Sequence, residues 1–380
     1  MKSAVGSRQS PVTSRQWPVA SGQSPAASFR CLVSRRYRHF LPGSLLNYRR
    51  HWLWAALPII LMLFPSVRTT KGEERDGRYA ILLVGASGDS DLQTVYLERI
   101  RKLHSILRDQ FGFPDDQIVV LFDDPELDPE LINHKSTREE FEKAILSLSS
   151  RVRKDDLVFV YLDGHGSYDG KTYKLLLVGR DPTDWELAGI LYSLQSERFV
   201  IVNATNCSGG SLPALSAKGK IIIAATKSGR EQNYTHMGGF FVESLDNKAA
   251  DSNKDNRLSV IEAFSYASRK VEEFYQKDGR LKTEHAILDD NGDAEGQSDP
   301  TPESEDGLLA RTTFFDRGAS IDSMKILTPE QQKLTLDARE LEKRIEALKY
   351  DKANMPQAEY EKRLEELLLE LARINAKLQK

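Results

Sequence analysis

From Arg78 onward, short apolar runs alternate with stretches in which apolar residues return every three or four positions. The short runs predict strands over 79–84, 117–122, 157–162, 173–178, 199–205 and 220–225. The longer stretches predict helices over 95–111, 137–148, 183–194, 238–247 and 260–277. In the first of these, Leu97, Ile100, Leu103, Ile106 and Leu107 fall on one face, and in the second Thr137 and Glu140 stand in capping-box relation. Strand and helix in regular alternation is the pattern of a mostly parallel sheet with helices on both faces, so the fold class is α/β.

The pattern changes at both ends of this block. Residues 297–306 are rich in Ser, Pro and Glu, and 297–327 reads as a linker. Beyond it, Thr328-Pro329-Glu330 is a helix start with a cap and Pro in first position. Leu334, Ala338, Leu341, Ile345 and Leu348 make one apolar seam, and after Pro356 a second seam runs through Tyr360, Leu364, Leu367, Leu371, Ile374 and Leu378. Residues 328–380 thus predict an antiparallel, coiled-coil-like helical hairpin. Three roles stand open for it: self-association, docking on a partner, or folding back onto the main domain.

At the other end, residues 1–51 are basic, rich in Ser, Pro and Gln, and without apolar period, as in a disordered segment or a start assigned too early. Residues 52–67 are the one long apolar run, with Arg49-Arg50-His51 before it. About 15 apolar residues suit an export signal better than a full bilayer span, which takes about 20. No Ala-x-Ala site follows, so a retained membrane anchor is the alternative. Either way the rest of the chain is expected outside the cytoplasm.

The 380 residues carry a formal net charge of −3, which gives no reason to expect nucleic acid as a partner. There are only two cysteines, Cys31 and Cys207. Loss of the leader would leave Cys207 alone, ruling out a disulfide framework and favouring a reactive thiol.

The chemistry concentrates at two predicted strand ends. The strand over 157–162 delivers Asp163-Gly164-His165-Gly166-Ser167, and that over 199–205 delivers Asn206-Cys207-Ser208-Gly209-Gly210. A thiol attacks a carbonyl as thiolate or with a base beside it, and imidazole titrates near neutrality, so His165 and Cys207 form a candidate dyad. In open α/β sheets ligands sit beyond the carboxyl ends of strands, where both residues fall. Gly85-Ala86-Ser87-Gly88-Asp89 lacks dinucleotide spacing and reads as a plain strand-end turn. Ser208 lacks the Gly-x-Ser-x-Gly elbow of serine hydrolases.

Strand, His-Gly turn, helix, strand and Cys-x-Gly, in that order, resemble the caspase and legumain clan of cysteine peptidases. His165 and Cys207 stand about 40 positions apart, near the roughly 50 of caspases. The Asp-Gly-His-Gly-Ser form is similar to bacterial legumain-like proteins, and the resemblance covers residues 78–296. It implies a caspase-like fold and a cysteine endopeptidase with a peptide or protein substrate and no cofactor for the chemistry. It further implies Cys207 as nucleophile, His165 as proton donor to the leaving group, and the Gly166 and Cys207 N–H groups as oxyanion donors. Asn203-Ala204-Thr205-Asn206 departs from the family, which carries Gln-Ala or Glu-Ala before the cysteine. The family's pocket loops correspond here to Asp89, Asp91, Glu231 and Asn233, acidic groups that would suit a basic side chain. The other reading is an inactive peptidase-like scaffold that binds a partner through its fold and hairpin.

The segment 251–262 matches a twelve-residue calcium loop, with Asp251, Asn253, Asp255, the Arg257 carbonyl, Ser259 and a closing Glu262. Asn256 stands where Gly makes the sharp turn. A structural Ca2+ is one expectation. A capping box of Ser259 and Glu262 opening the next helix is the other.

Overall fold

The computed structural model describes residues 77–301, 306–316 and 328–378. The basic segment 1–51, Cys31 and the apolar run 52–67 lie outside the described residues. Among the described residues no helix is long and apolar enough to cross a membrane.

The expected α/β architecture is present. Strands β1 (Arg78–Val84), β2 (Ile118–Phe122), β3 (His134–Lys135), β4 (Leu157–Asp163), β7 (Arg198–Asn203), β8 (Lys220–Ala224) and β9 (Ile287–Asp289) form one sheet in the order β3-β2-β1-β4-β7-β8-β9. Every pairing is parallel except β8 with β9. Between β4 and β7, β5 (Gly166–Tyr168) and β6 (Tyr173–Leu175) form a separate antiparallel ribbon.

Alternate residues of the central strands feed two cores, because successive side chains leave a strand on opposite faces. Leu82, Phe159, Tyr161 and Val202 pack under helices α1 (Ser90–Ser105), α5 (Met237–Ser244) and α6 (Val260–Lys277). Ile81, Val158, Val160 and Ile201 pack under α2 (Arg138–Ser149), α3 (Asp184–Leu191) and α4 (Leu212–Leu215). The central strands are buried throughout, which explains their nearly unbroken apolar sequence.

Three expectations shift. The predicted helix over 95–111 begins earlier, where Asp89 accepts from the Asp91 and Leu92 N–H groups, and ends in a π-helical turn, Ile106–Gln110. Thr137 caps α2, yet Glu140 turns to His134 and Lys143, leaving the box half made. The predicted linker is structured where described. Short helix α7 (Leu308–Thr312) and Phe315 pack into the main core, and the Arg78 guanidinium donates to the Phe315 carbonyl at 2.9 Å.

The hairpin forms from α8 (Pro329–Tyr350) and α9 (Gln357–Leu378), with Leu341, Ile345, Leu348 and Leu367 buried between them. Helix α8 also folds back onto the domain, where Glu346 pairs with Arg311 of α7 at 3.5 Å. A groove between them is lined by Arg78, Leu157 and Arg198, the first residues of β1, β4 and β7. The hairpin therefore covers the amino ends of the strands, opposite the candidate dyad.

Candidate active site

Strands β4 and β7 are parallel neighbours in register, with Leu162 beside Asn203. Adjacent strands lie about 4.8 Å apart, so the turns that leave their carboxyl ends rise side by side. Gly164 takes φ +103°, open only to glycine at low cost, and this aims His165 back across the sheet. Its Nε2 lies 3.2 Å from the Ser87 carbonyl, in the turn that follows β1. A carbonyl only accepts, so Nε2 carries the proton and Nδ1 keeps the lone pair needed by a base. Tyr96 of α1 meets the ring edge-on at 6.4 Å between centroids. The sequence marks 85–89 as a simple turn. Its carbonyl is nonetheless what orients the imidazole, at the point where the strand order reverses between β1 and β4.

Cys207 occupies a left-handed backbone conformation, φ +61°, at the sharp exit from β7 into a 3₁₀ turn, Ser208–Ser211. A non-glycine residue held there stores strain, a property that gathers at functional sites. Hydroxyl and amide pairs fix the turn. Thr205 bonds Asn203 at 2.8 Å and Tyr173 at 2.7 Å, while Ser208 reaches Thr226 at 3.2 Å and is fully buried.

Cys207 as a residue is 1% exposed. Burial pushes its pKa up, and the Asn206 amide acts in the opposite direction, with Nδ2 donating to Sγ at 3.5 Å. His165 and Cys207 share no hydrogen bond, the ring being held by Ser87 and the thiol by Asn206.

The oxyanion donors are not free as the resemblance implies. The Gly166 N–H donates to Asn206 Oδ1 at 2.9 Å, and the Cys207 N–H donates to the Glu231 carbonyl at 2.8 Å. Asn206, absent from the expected site, lies at its centre. The signal for it was the departure from the family pattern at that position.

Beneath His165 lies a buried ion pair that sequence reading also missed. Arg99 Nη1 meets Asp163 Oδ2 at 2.6 Å, with side-chain exposures of 10% and 2%. Asp163 further accepts from Tyr161 and from the Gly164 N–H, at 3.2 and 2.9 Å, and Arg99 donates to Tyr234 at 3.2 Å. Although burial opposes its charge, the Asp163 carboxylate holds the Arg99 guanidinium well above its ordinary value. An Asp directly before Gly-His was the available clue, but its partner lies 64 positions away.

The expected substrate residues lie in the segments that follow β1 and β8. Asp89 caps α1, and Asp91 and Asn233 are exposed. Glu231 is engaged by His285 Nδ1 at 2.7 Å and by the Lys227 and His285 N–H groups at 3.1 Å.

In the 251–262 loop the Asp251, Asn253, Asp255 and Glu262 side chains accept from N–H groups of the loop itself. Asp251 accepts from the Asn256 N–H at 2.9 Å, and Asn253 and Asp255 accept from the Asp255 and Arg257 N–H groups at 2.8 Å. Glu262 accepts from Ser252 and Asn253 through one oxygen, and from the Ser259 N–H and hydroxyl, at 3.0 and 2.7 Å, through the other. This is the capping box. Asn256 does adopt the left-handed turn, φ +63°. Among the described residues no three His, Cys, Asp or Glu side chains converge to hold a metal ion.

No family model matches this chain, and no curated protein matches it. Among solved structures it is similar to a structural-genomics protein of Geobacter sulfurreducens, at 10% identity and TM-score 0.36, over 56% of this chain and 92% of that one. It is similar to the Drosophila initiator caspase Dronc at 13% identity and TM-score 0.37, over 57% and 80%. It is also similar to Raptor of Chaetomium thermophilum at 11% identity and TM-score 0.33, over 73% of this chain and 34% of Raptor.

Proposed function

We propose that the chain is a cysteine endopeptidase of caspase and legumain type, with Cys207 as nucleophile and His165 as its general base and acid. One observation carries the reading. The carboxyl ends of neighbouring strands hold a thiol on a strained turn and an imidazole whose tautomer a main-chain carbonyl fixes. In this mechanism the His165 Nδ1 lone pair accepts the thiol proton, Sγ attacks the scissile carbonyl, and the same proton passes to the leaving amine. The acyl-enzyme then falls to water, with His165 as base. No cofactor enters these steps. Peptide or protein is the substrate, and residues 52–67 carry the domain out of the cytoplasm as signal or anchor.

Cys207→Ala should abolish cleavage of a mixed peptide library while the melting curve moves little, since the change opens almost no cavity. His165→Ala should be as inactive, and the double variant no worse than either single, because the two act as a unit. Cleavage retained by Cys207→Ala would defeat the reading.

The scaffold reading is favoured by a different observation, the engagement of both oxyanion donors around a cysteine that is 1% exposed. Labelling with a thiol-directed electrophile separates the two readings. A working nucleophile reacts far faster than a free cysteine, and a buried structural one reacts far more slowly.

A further inference from the structure

The amide of Asn206 has three partners with opposite demands. Its Oδ1 accepts from the Gly166 N–H at 2.9 Å, and its Nδ2 donates to the Gln232 carbonyl at 3.0 Å and to Cys207 Sγ at 3.5 Å. Since an N–H can only donate and a carbonyl can only accept, the orientation of this amide is fixed by its surroundings. A carbonyl-type oxygen thus sits on a main-chain N–H that flanks the dyad, within the same residue span as the thiol. Beside it, the Glu231 carbonyl takes the Cys207 N–H, and Glu231 is anchored in turn by His285. The segment after β8 therefore closes over the cysteine turn through two consecutive carbonyls, those of Glu231 and Gln232.

We propose that Asn206 is a built-in latch: its carboxamide imitates a substrate carbonyl, holds the site closed, and must swing out before a peptide can bind. The inference rests on the peptidase reading for its biological meaning, but the latch itself can be measured without any substrate. Asn206 has two separable effects. Its oxygen blocks the Gly166 N–H and access to the thiol, and its nitrogen stabilises the thiolate. A residue serving only the fold of the turn would have neither.

The test is the rate at which iodoacetamide alkylates Cys207 across pH in the full-length protein. It is read on the Cys207 peptide by mass spectrometry so that Cys31 does not contribute. For Asn206→Ala the high-pH plateau should rise about tenfold, the shift in open population expected when two ordinary hydrogen bonds are lost. The midpoint of the profile should also move to higher pH, because the Nδ2 donor is gone. Asn206→Asp keeps an acceptor for the Gly166 N–H but sets a carboxylate oxygen against the Gln232 carbonyl, so its plateau should lie between wild type and Asn206→Ala, while its midpoint rises further beside the new charge. An unchanged or lower plateau in Asn206→Ala overturns the latch, as does a plateau in Asn206→Asp that matches Asn206→Ala. Peptide cleavage by the same proteins tests the other reading independently. If none of them, wild type included, cleaves a mixed library, the peptidase assignment fails, and the alkylation profiles still decide the latch.

Discussion

The two ends of the parallel strands are built on opposite plans. At the amino ends, carboxylates serve main-chain donors. Asp156 accepts from the Gly77 and Arg153 N–H groups, Glu262 closes its own helix start, and Asp290 accepts from the Gly307 and Ala310 N–H groups that open α7. At the carboxyl ends Asp89 and Glu231 also accept from main-chain N–H groups, but there Asp163 pairs with a cation and the turns after β4 and β7 add an imidazole and a thiol. One end of the sheet is tied down and covered by the hairpin, while the other keeps strained turns and titratable groups uncovered by it. The same strands thus carry a structural end and a chemical end.

The buried pair should be the most sensitive point of the contrast. Arg99→Ala leaves the Asp163 carboxylate without its cation, and removing one partner of a buried pair costs about 3–5 kcal/mol. Urea unfolding should show a loss of that size. A loss below about 1 kcal/mol would mean that the pair behaves like a surface salt bridge. At the structural end the expected effect is smaller. Glu262→Gln weakens the charge-assisted bonds from Ser252, Asn253 and Ser259, for a cost of about 1–3 kcal/mol. Because the loop satisfies itself, the loss should be equal in calcium and in chelator. A loss seen only with calcium present would restore the ion-binding expectation.

A third effect depends on pH. Asp306 is fully buried, accepts the Asp290 N–H through Oδ1, and its Oδ2 has no hydrogen-bond partner among the described residues. Burial pushes it up from the ordinary aspartate range to about 7, with the charges of Asp290 and Asp289 adding and the Asp290 N–H opposing. The folded state therefore holds this proton more tightly than the unfolded chain. Its stabilising contribution is complete below the unfolded value near 4 and is lost as pH rises through about 7. Asp306→Asn, which keeps the uncharged shape, should raise stability at pH 8 and do nothing at pH 4. Melting curves with the same difference at both pH values would contradict the assignment.

The chemical end was partly legible in the sequence, because strand and turn signals are local. The runs over 157–162 and 199–205 gave β4 and β7 to within two residues, and with them the positions of His165 and Cys207. What escaped depends on contacts between distant segments. Neither the Ser87 carbonyl on His165 nor the Arg99–Asp163 pair leaves a periodic trace. The run over 173–178 gave only a three-residue strand, since its partner is the turn that begins at Gly166. Asp289-Asp290-Asn291-Gly292-Asp293 has the composition of a solvated turn, yet Asp289 and Asp290 are buried, Asp289 accepting from the Gly292 and Ala294 N–H groups of the turn itself and Asp290 from the Gly307 and Ala310 N–H groups that open α7.

The margins of the sheet bear on how this protein behaves when crowded. A long unpaired strand edge offers its N–H and C=O groups to any neighbour and so seeds aggregation. Here β3 offers only two residues, one of them Lys135, and β9 runs for three with Leu288 already bonded in both directions to Gln297. A sheet with seven strands thus exposes almost no template at either border, and concentrated solutions should resist edge-to-edge growth into fibres.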